Sequence, residues 1–319
     1  MNKLYFLLIF LCFSFISQAQ QFHLELLKAY NLSDSTILKD DPYFGGISGI
    51  EYVPQRNKWY LVTDGKDSIR QSYLYEFDGN HFFNLNNYRR FKLDSVLSAE
   101  SLRYRKTDSS FYYCTELGKN DAFGQFKVAR PDSSTQSIAR YERFKDNKGY
   151  EALAIQSDSL LWSISECPPP PDSLYSHIRA YDLIKQDTVA LALYPLDQKI
   201  CGYDDNGVSE VLITPDQQLF FMERCWGGPQ QEGYTIRFYK SAIPTASKGQ
   251  ISIIAKQPVR FDWGMLKPDN MEGMTWGPVV NGAQTLILIS DDNFHKFDKK
   301  KPVEYWQHTL MVVLKVVVD

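Results

Sequence analysis

Met271-Glu272-Gly273-Met274-Thr275-Trp276-Gly277-Pro278, with Leu286-Ile287-Leu288-Ile289-Ser290-Asp291-Asp292-Asn293 after it, is the stretch that decides the fold. It reads as two apolar strands joined by a turn, opened by a glutamate and closed by acids. Four other segments share that layout. They are ISGIEYVP then KWYLVTDG from Ile47, AESLRYRK then FYYCTELG from Ala99, YEALAIQS then LLWSISEC from Tyr150, and VSEVLITP then LFFMERCW from Val208. Pro54, Pro215 and Pro278 stand at matching distances after Ser48, Ser209 and Glu272, which fixes the register. Glu100 and Glu151 complete the class. A unit recurring about every 50 to 60 residues suits the four-stranded blade of a β-propeller.

Working outward, SYLYEF, QFKVAR, RAYDLI and RFYKSAI read as third strands, and FFNLNNY, QSIARYERF, TVALALY and QISIIA as fourth strands. The fifth unit has one more strand, HTLMVVLKVVV, before the chain ends. Its missing outer strand is expected from FHLELLKAYNL, residues 22–32, which would close the ring and remove an exposed sheet edge. The expectation is an all-β propeller of five four-stranded blades. A sixth, divergent blade in residues 167–205 or 225–268 stays open.

Lys3, the apolar run Leu4 to Ile16 and Ser17-Gln18-Ala19 read as a signal peptide over residues 1–19. The run is too short for a membrane span, which needs about 20 apolar residues. Residues 20–319 are then one domain, secreted or periplasmic, and expected to be a monomer. A formal charge of −3 gives no polyanion footprint, which argues against nucleic-acid duplexes as partners. Cys114, Cys167, Cys201 and Cys225 follow the leader and allow three pairings. Cys167 and Cys225 stand just beyond acids of neighbouring blades, so a disulfide between them, or two thiols, are both open.

The repeat implies a site. The start of each first strand lies beside the end of its antiparallel partner. Ser48 is thus set against Asp64, Glu100 against Glu116, Glu151 against Glu166, Ser209 against Glu223, and Glu272 against Asp291, with Asp292 adjacent. The first strand of every blade lines the channel. Glutamates facing one another there raise each other's pKa or demand a cation. Ser48, Glu100, Glu151, Ser209 and Glu272 are therefore the expected metal ligands, and calcium, which accepts many oxygens in loose geometry, the expected ion. In blade 4, Glu210 competes with Ser209 as the inward residue. Glu166, Asp291, Glu116, Asp64 and Glu223 form the candidate catalytic layer. Arg224, Arg237 and Arg179 either balance those acids or bind an anionic substrate. His295 reads as a surface residue. Gly-x-Ser-x-Gly, a phosphate-binding glycine loop and His-Glu-x-x-His are all missing from the sequence, which argues against serine-hydrolase, P-loop and zinc-peptidase chemistry.

GGISGIEY, YLVTDG, KGYEALAI, LFFMERCWGG with TIRFYK, NMEGMTWG and LILISDDNF together resemble the secreted phytase-like propeller family described by an "esterase-like activity of phytase", over about residues 43–315. The family often has Glu-Gly at the opening position. Here Ser101 follows Glu100 and Ala152 follows Glu151. The order Ser48, Glu100, Glu151, Ser209, Glu272 is also similar to the calcium-holding positions of the five-bladed calcium-activated apyrases. The resemblance implies a calcium-dependent hydrolase of a small, phosphorylated anionic substrate. The competing expectation is a non-catalytic, calcium-stabilised propeller that binds a glycan or a protein.

Overall fold

The computed structural model describes residues 21–32, 41–65, 71–79, 87–94, 96–115, 122–127, 135–140, 148–169, 174–202, 205–227, 233–245, 250–294 and 307–319. The leader, Glu116 and His295 lie outside the described residues. Strand β1 (Phe22–Asn31) comes first. Blade 1 is β2 (Ile47–Val53), β3 (Lys58–Thr63), β4 (Tyr73–Asp78) and β5 (Tyr88–Lys92). Blade 2 is β6 (Ala99–Arg105), β7 (Ser110–Thr115), β8 (Ala122–Lys127) and β9 (Thr135–Arg140). Blade 3 begins with β10 (Tyr150–Ile155), β11 (Leu160–Ser165), β12 (Tyr175–Asp182) and β13 (Asp187–Pro195). Blade 4 has β14 (Asp205–Ile213), β15 (Gln218–Trp226) and β16 (Tyr234–Ala242), after which come β17 (Ile251–Ile253) and β18 (Gln257–Val259). Blade 5 is β19 (Met271–Trp276), β20 (Thr285–Ser290) and β21 (Leu310–Val318).

β1 pairs antiparallel with β21 along its whole length, from Phe22 against Val318 to Asn31 against Leu310. The N-terminal strand therefore completes the C-terminal blade, as expected. The described residues form five sheets, and the innermost strands β2, β6, β10, β14 and β19 contact one another in a closed ring. The described residues of 167–205 and 225–268 supply strands to blades 3 and 4 and form no sheet of their own. One strand changes hands. Ile251-Ser252-Ile253, expected as the outer strand of blade 4, runs parallel to β13 and becomes a fifth strand of blade 3. β18 takes the outer place in blade 4, against β16. The short β17 has no antiparallel hairpin to hold it, so the open edge of β13 captures it.

Both faces of each blade are buried, so the inner strands read as continuous apolar runs rather than as alternating ones. The alternation instead decides which neighbour a side chain meets. In β3, Trp59 and Leu61 pack toward blade 5, whereas Tyr60 and Val62 pack toward blade 2. In β20, Leu286 and Leu288 meet blade 4, and Ile287 and Ile289 meet blade 1. Five apolar clusters fill the five gaps between neighbouring blades. The ring is held by these wedges, which leave the channel to polar groups.

The disulfide joins Cys201 to Cys225 rather than Cys167 to Cys225. Cys225 lies on β15 opposite Asn206 of β14, and Cys201 lies on the loop that leads into β14, so the bond closes within blade 4. Cys167 follows β11 in blade 3 and is half-buried.

Candidate functional site at the channel mouth

The five opening positions share an irregularity. Ser48, Glu151, Ser209 and Glu272 are each skipped by the ladder, leaving one extra residue on the inner strand. In blade 2 the same break falls between Glu100 and Arg103. A β-bulge leaves its extra residue unpaired and re-aims its side chain. Ser48 Oγ donates to the carbonyl of Ala99 in blade 2 at 2.7 Å. Ser209 Oγ donates to the carbonyl of Met222 at 3.5 Å, and Ser98 Oγ donates to Glu100 at 3.3 Å.

The opposite layer sits one residue beyond the second strand. The amides of Asp64, Glu166 and Asp291 donate to the carbonyls of Gly46, Gly149 and Asn270 at 2.7, 2.8 and 2.9 Å. In blade 4 the same place, opposite Gly207, belongs to Arg224. Glu223 pairs with Val208 and so stands one residue out of register with the other acids. A one-residue offset sends a strand side chain to the other face. Glu223 accordingly points between blades 3 and 4, where it accepts from Tyr194 Oη at 2.7 Å and Asn206 Nδ2 at 2.8 Å and pairs with Lys256.

Arg224 thus puts a cation into a ring of acids. It donates to Asn270 Oδ1 at 2.8 Å, to Glu272, and to Glu166 Oε1 at 3.2 Å, and stands 3.7 Å from Glu151. Burial opposes its charge, but Glu272, Glu151 and Glu166 outweigh that and raise its pKa well above the usual value. Lys148 adds a second cation, 2.8 Å from Glu166 Oε1. The other oxygen of Glu166 is buried without a hydrogen bond. Space here is tight. A Cβ on Gly207 would fall 2.5 Å from Glu166 Cγ, and Gly46, at φ +58°, could carry none beside Asp64 and Phe294.

Further buried carboxylates line the side toward blades 1 and 5. Asp64, Asp291 and Asp292 are all buried. Asp291 accepts from the amide of Asn293 at 2.7 Å, and Asp292 from those of Gly46 and Phe294 at 2.9 and 3.0 Å. Burial, then Glu272, Asp64 and Asp292, push the Asp291 carboxyl well above its ordinary pKa. Asp269, mainly through burial, is raised as well. The turn is strained, because Asn293 and Phe294 both hold positive φ.

Arg179 and Arg237 serve elsewhere. Arg179 donates to Tyr150 Oη at 2.7 Å, and Arg237 lies 3.7 Å from Asp197. Sequence reasoning did not single out Lys148 or Asn270, which touch the site from loops just ahead of β10 and β19. It also left Glu210 undecided. The structure puts Glu210 deeper in the channel than the mouth, fully buried and tied to blades 2 and 3. It accepts from Ser101 Oγ at 2.9 Å and from the Leu153 amide at 3.4 Å, and pairs with Arg103 at 2.8 Å. Burial, only partly offset by Arg103, raises its pKa to about 7.

A family model described as phytase-like, esterase-like activity of phytase, matches residues 42–294. The chain belongs to that family. No curated protein matches it by sequence. Among solved structures it is similar to a thermostable family-43 glycoside hydrolase, at 10% identity and a TM-score of 0.51, over 85% of this chain and 88% of that one. A family-43 glycoside hydrolase variant from Bacillus licheniformis gives 9% identity and a TM-score of 0.51, over 92% of this chain and 59% of that one. Likeness at that level shows the propeller fold alone. Among the described residues, no helix is long and apolar enough to cross a membrane.

Calcium, expected from the sequence, suits the donors at this mouth. They are hard carboxylate oxygens, one of them on Glu166 buried without a hydrogen bond, and Asp291 is crowded by like charge. Among the described residues, no three acidic, histidine or cysteine side chains already gather as ligands on one point. Arg224 meanwhile takes a cation's place beside Glu151, Glu166 and Glu272.

Proposed function

We propose that this chain is an exported hydrolase that cleaves a phosphoester at the acidic mouth, with calcium as counter-cation. The observation that carries this reading is Asp291, a buried carboxyl whose main electrostatic neighbours are three further carboxylates. Such a group needs a proton or a cation to be tolerated. The family's phytase-like, esterase-like description supports the phosphoester.

Asp64, Asp291 and Asp292 would hold the ion, which when bound polarises a phosphoryl oxygen and offsets the charge that would repel an anion. The protein's own groups do the rest. Arg224 and Lys148 supply positive charge for the phosphoryl oxygens, Arg224 by exchanging a carboxylate partner for the substrate. Glu166 takes a proton from the attacking water. As water oxygen bonds to phosphorus and the phosphorus–oxygen ester bond breaks, Glu166 returns that proton to the departing oxygen. Glu116, outside the described residues, is kept as a candidate in the same layer.

The test is to assay the purified chain on a phosphomonoester, a phosphodiester, a nucleotide and phytate, with and without a chelator. Turnover that is lost on chelation and restored by calcium is expected. Turnover that survives chelation rejects the ion. No turnover on any of these substrates, with calcium bound, rejects catalysis and leaves a binding module.

A further inference from the structure

The strands that begin at the acidic mouth end around a second concavity, at the opposite end of the channel. Its volume is about 570 Å³. That is within the roughly 300–1,000 Å³ range of small-molecule sites. All five inner strands contribute to it. The walls include Tyr52, Tyr104, Ile155, Ile213, Trp276 and Val279, and the charged lining residues are Glu51 and Arg103.

The walls are set before any ligand arrives. Trp276 Nε1 donates to the carbonyl of Ile213 at 2.7 Å, which fixes its ring. Tyr52 stacks on Trp59 with ring centroids 4.5 Å apart. The floor is short of positive charge. Arg103 contacts two carboxylates, Glu210 at 2.8 Å and Glu51 at 3.8 Å, so one guanidinium serves two acids and the nearer acid takes most of it. Glu51 accepts from the Tyr104 amide at 3.2 Å and from Thr275 Oγ1 at 3.1 Å. An ionised carboxylate has about four acceptor sites, so two remain for a ligand. Burial raises the Glu51 pKa against the opposing pull of Arg103, as expected of an under-compensated carboxylate.

We propose that this funnel binds a small organic ammonium ion, with its charged nitrogen on Glu51 and its apolar body against Tyr52, Tyr104 and Trp276. An ammonium group supplies the missing positive charge, and aromatic faces attract cations as well as apolar groups. A phosphate or carboxylate ligand would add negative charge to a floor already short of cations. The funnel is distinct from the mouth, because its groups come from the far ends of the same strands.

The test uses benzylammonium as the probe, by calorimetry and by melting temperature, on the full chain. Benzyl alcohol is the neutral control of the same shape. Benzylammonium is expected to bind at least about tenfold more tightly than the alcohol, which is the charge contribution. Glu51→Gln should weaken it about tenfold. Val279→Lys sets a fixed positive charge at an exposed rim position. It should abolish binding while leaving the melting temperature without probe unchanged, which keeps the proposal open to refutation if Glu51→Gln fails to fold. Binding should also weaken as the pH falls and Glu51 takes up its proton. The proposal is overturned if benzylammonium binds more weakly than about 10 mM. Equal binding of the alcohol, or undiminished binding in Val279→Lys, overturns it too. None of these readouts involves turnover, so they succeed or fail independently of the mouth's chemistry.

Discussion

The two ends of the channel are built by the same five strands, yet they manage charge in opposite ways. At the mouth, Glu151, Glu166 and Glu272 gather around Arg224, Lys148 pairs with Glu166, and Glu272, Asp64 and Asp292 crowd Asp291. At the far end, Arg103 sits between Glu51 and Glu210 among aromatic and aliphatic walls. The difference lies in the bulges, which occur where the inner strands begin and not where they end. Each bulge frees one side chain from the alternation and turns it on its neighbours. Without bulges, the strand ends keep their alternation and close over an apolar funnel. Carboxylates dominate the mouth, whereas the far end sets one under-compensated acid beneath apolar walls.

The sharpest way to break this contrast is to remove the base. Glu166→Gln should lower kcat by about 10²- to 10⁴-fold, the usual worth of general-base catalysis, with KM little changed. Undiminished turnover would place the base elsewhere on the ring. Next comes the counter-cation. Arg224→Met should destabilise the fold by about 3–5 kcal/mol, because it leaves the buried Glu151 and Glu166 and the half-buried Glu272 without their guanidinium. Arg224→Lys should cost less, and lowering the pH should recover part of the loss in the Met variant. Thermal melts of the two variants across pH decide this.

Deeper in the channel, Glu210 tests how fully Arg103 compensates the nearer of its two acids. Its folded pKa, about 7, is raised above its ordinary value, so the folded state holds the proton more tightly. Stability should therefore fall as pH rises from about 4.5 to about 7, by roughly 3 kcal/mol for this group at 1.36 kcal/mol per pKa unit. Asp291 contributes with the same sign, so the comparison of wild type with Glu210→Gln isolates the effect. Identical pH profiles for the two proteins would mean that Arg103 satisfies Glu210 in full. The smallest expected effect is the ion's. Calcium at a hundredfold excess over its dissociation constant should add about 2.7 kcal/mol of stability. Chelation should remove it, and Asp291→Asn should blunt the response. Melting that ignores both calcium and chelator would show that Arg224 and Lys148 suffice.

The sequence by itself determined the repeat, the strand that closes the ring, and the five opening positions. All of these rest on local signals: paired apolar runs, turn residues and the prolines that lock the register of Ser48, Ser209 and Glu272. The family signature, NMEGMTWG with ISDDNF, was legible for the same reason. The tertiary structure alone decided what depends on side-chain direction and on partners from other blades. A one-residue offset in β15 puts Arg224, not Glu223, among the acids, and a period of two gives no warning of it, because both residues belong to one polar pair at a strand end. Glu210 became the deep channel carboxylate because the bulge at Ser209 shifts the strand's alternation. Cys201 reached Cys225, and β17 reached β13, because chain ends and sheet edges meet in space at distances that sequence spacing does not encode. The positions of the charges were written in the chain. Their balance was set only when five blades brought them together in a small, poorly solvated volume.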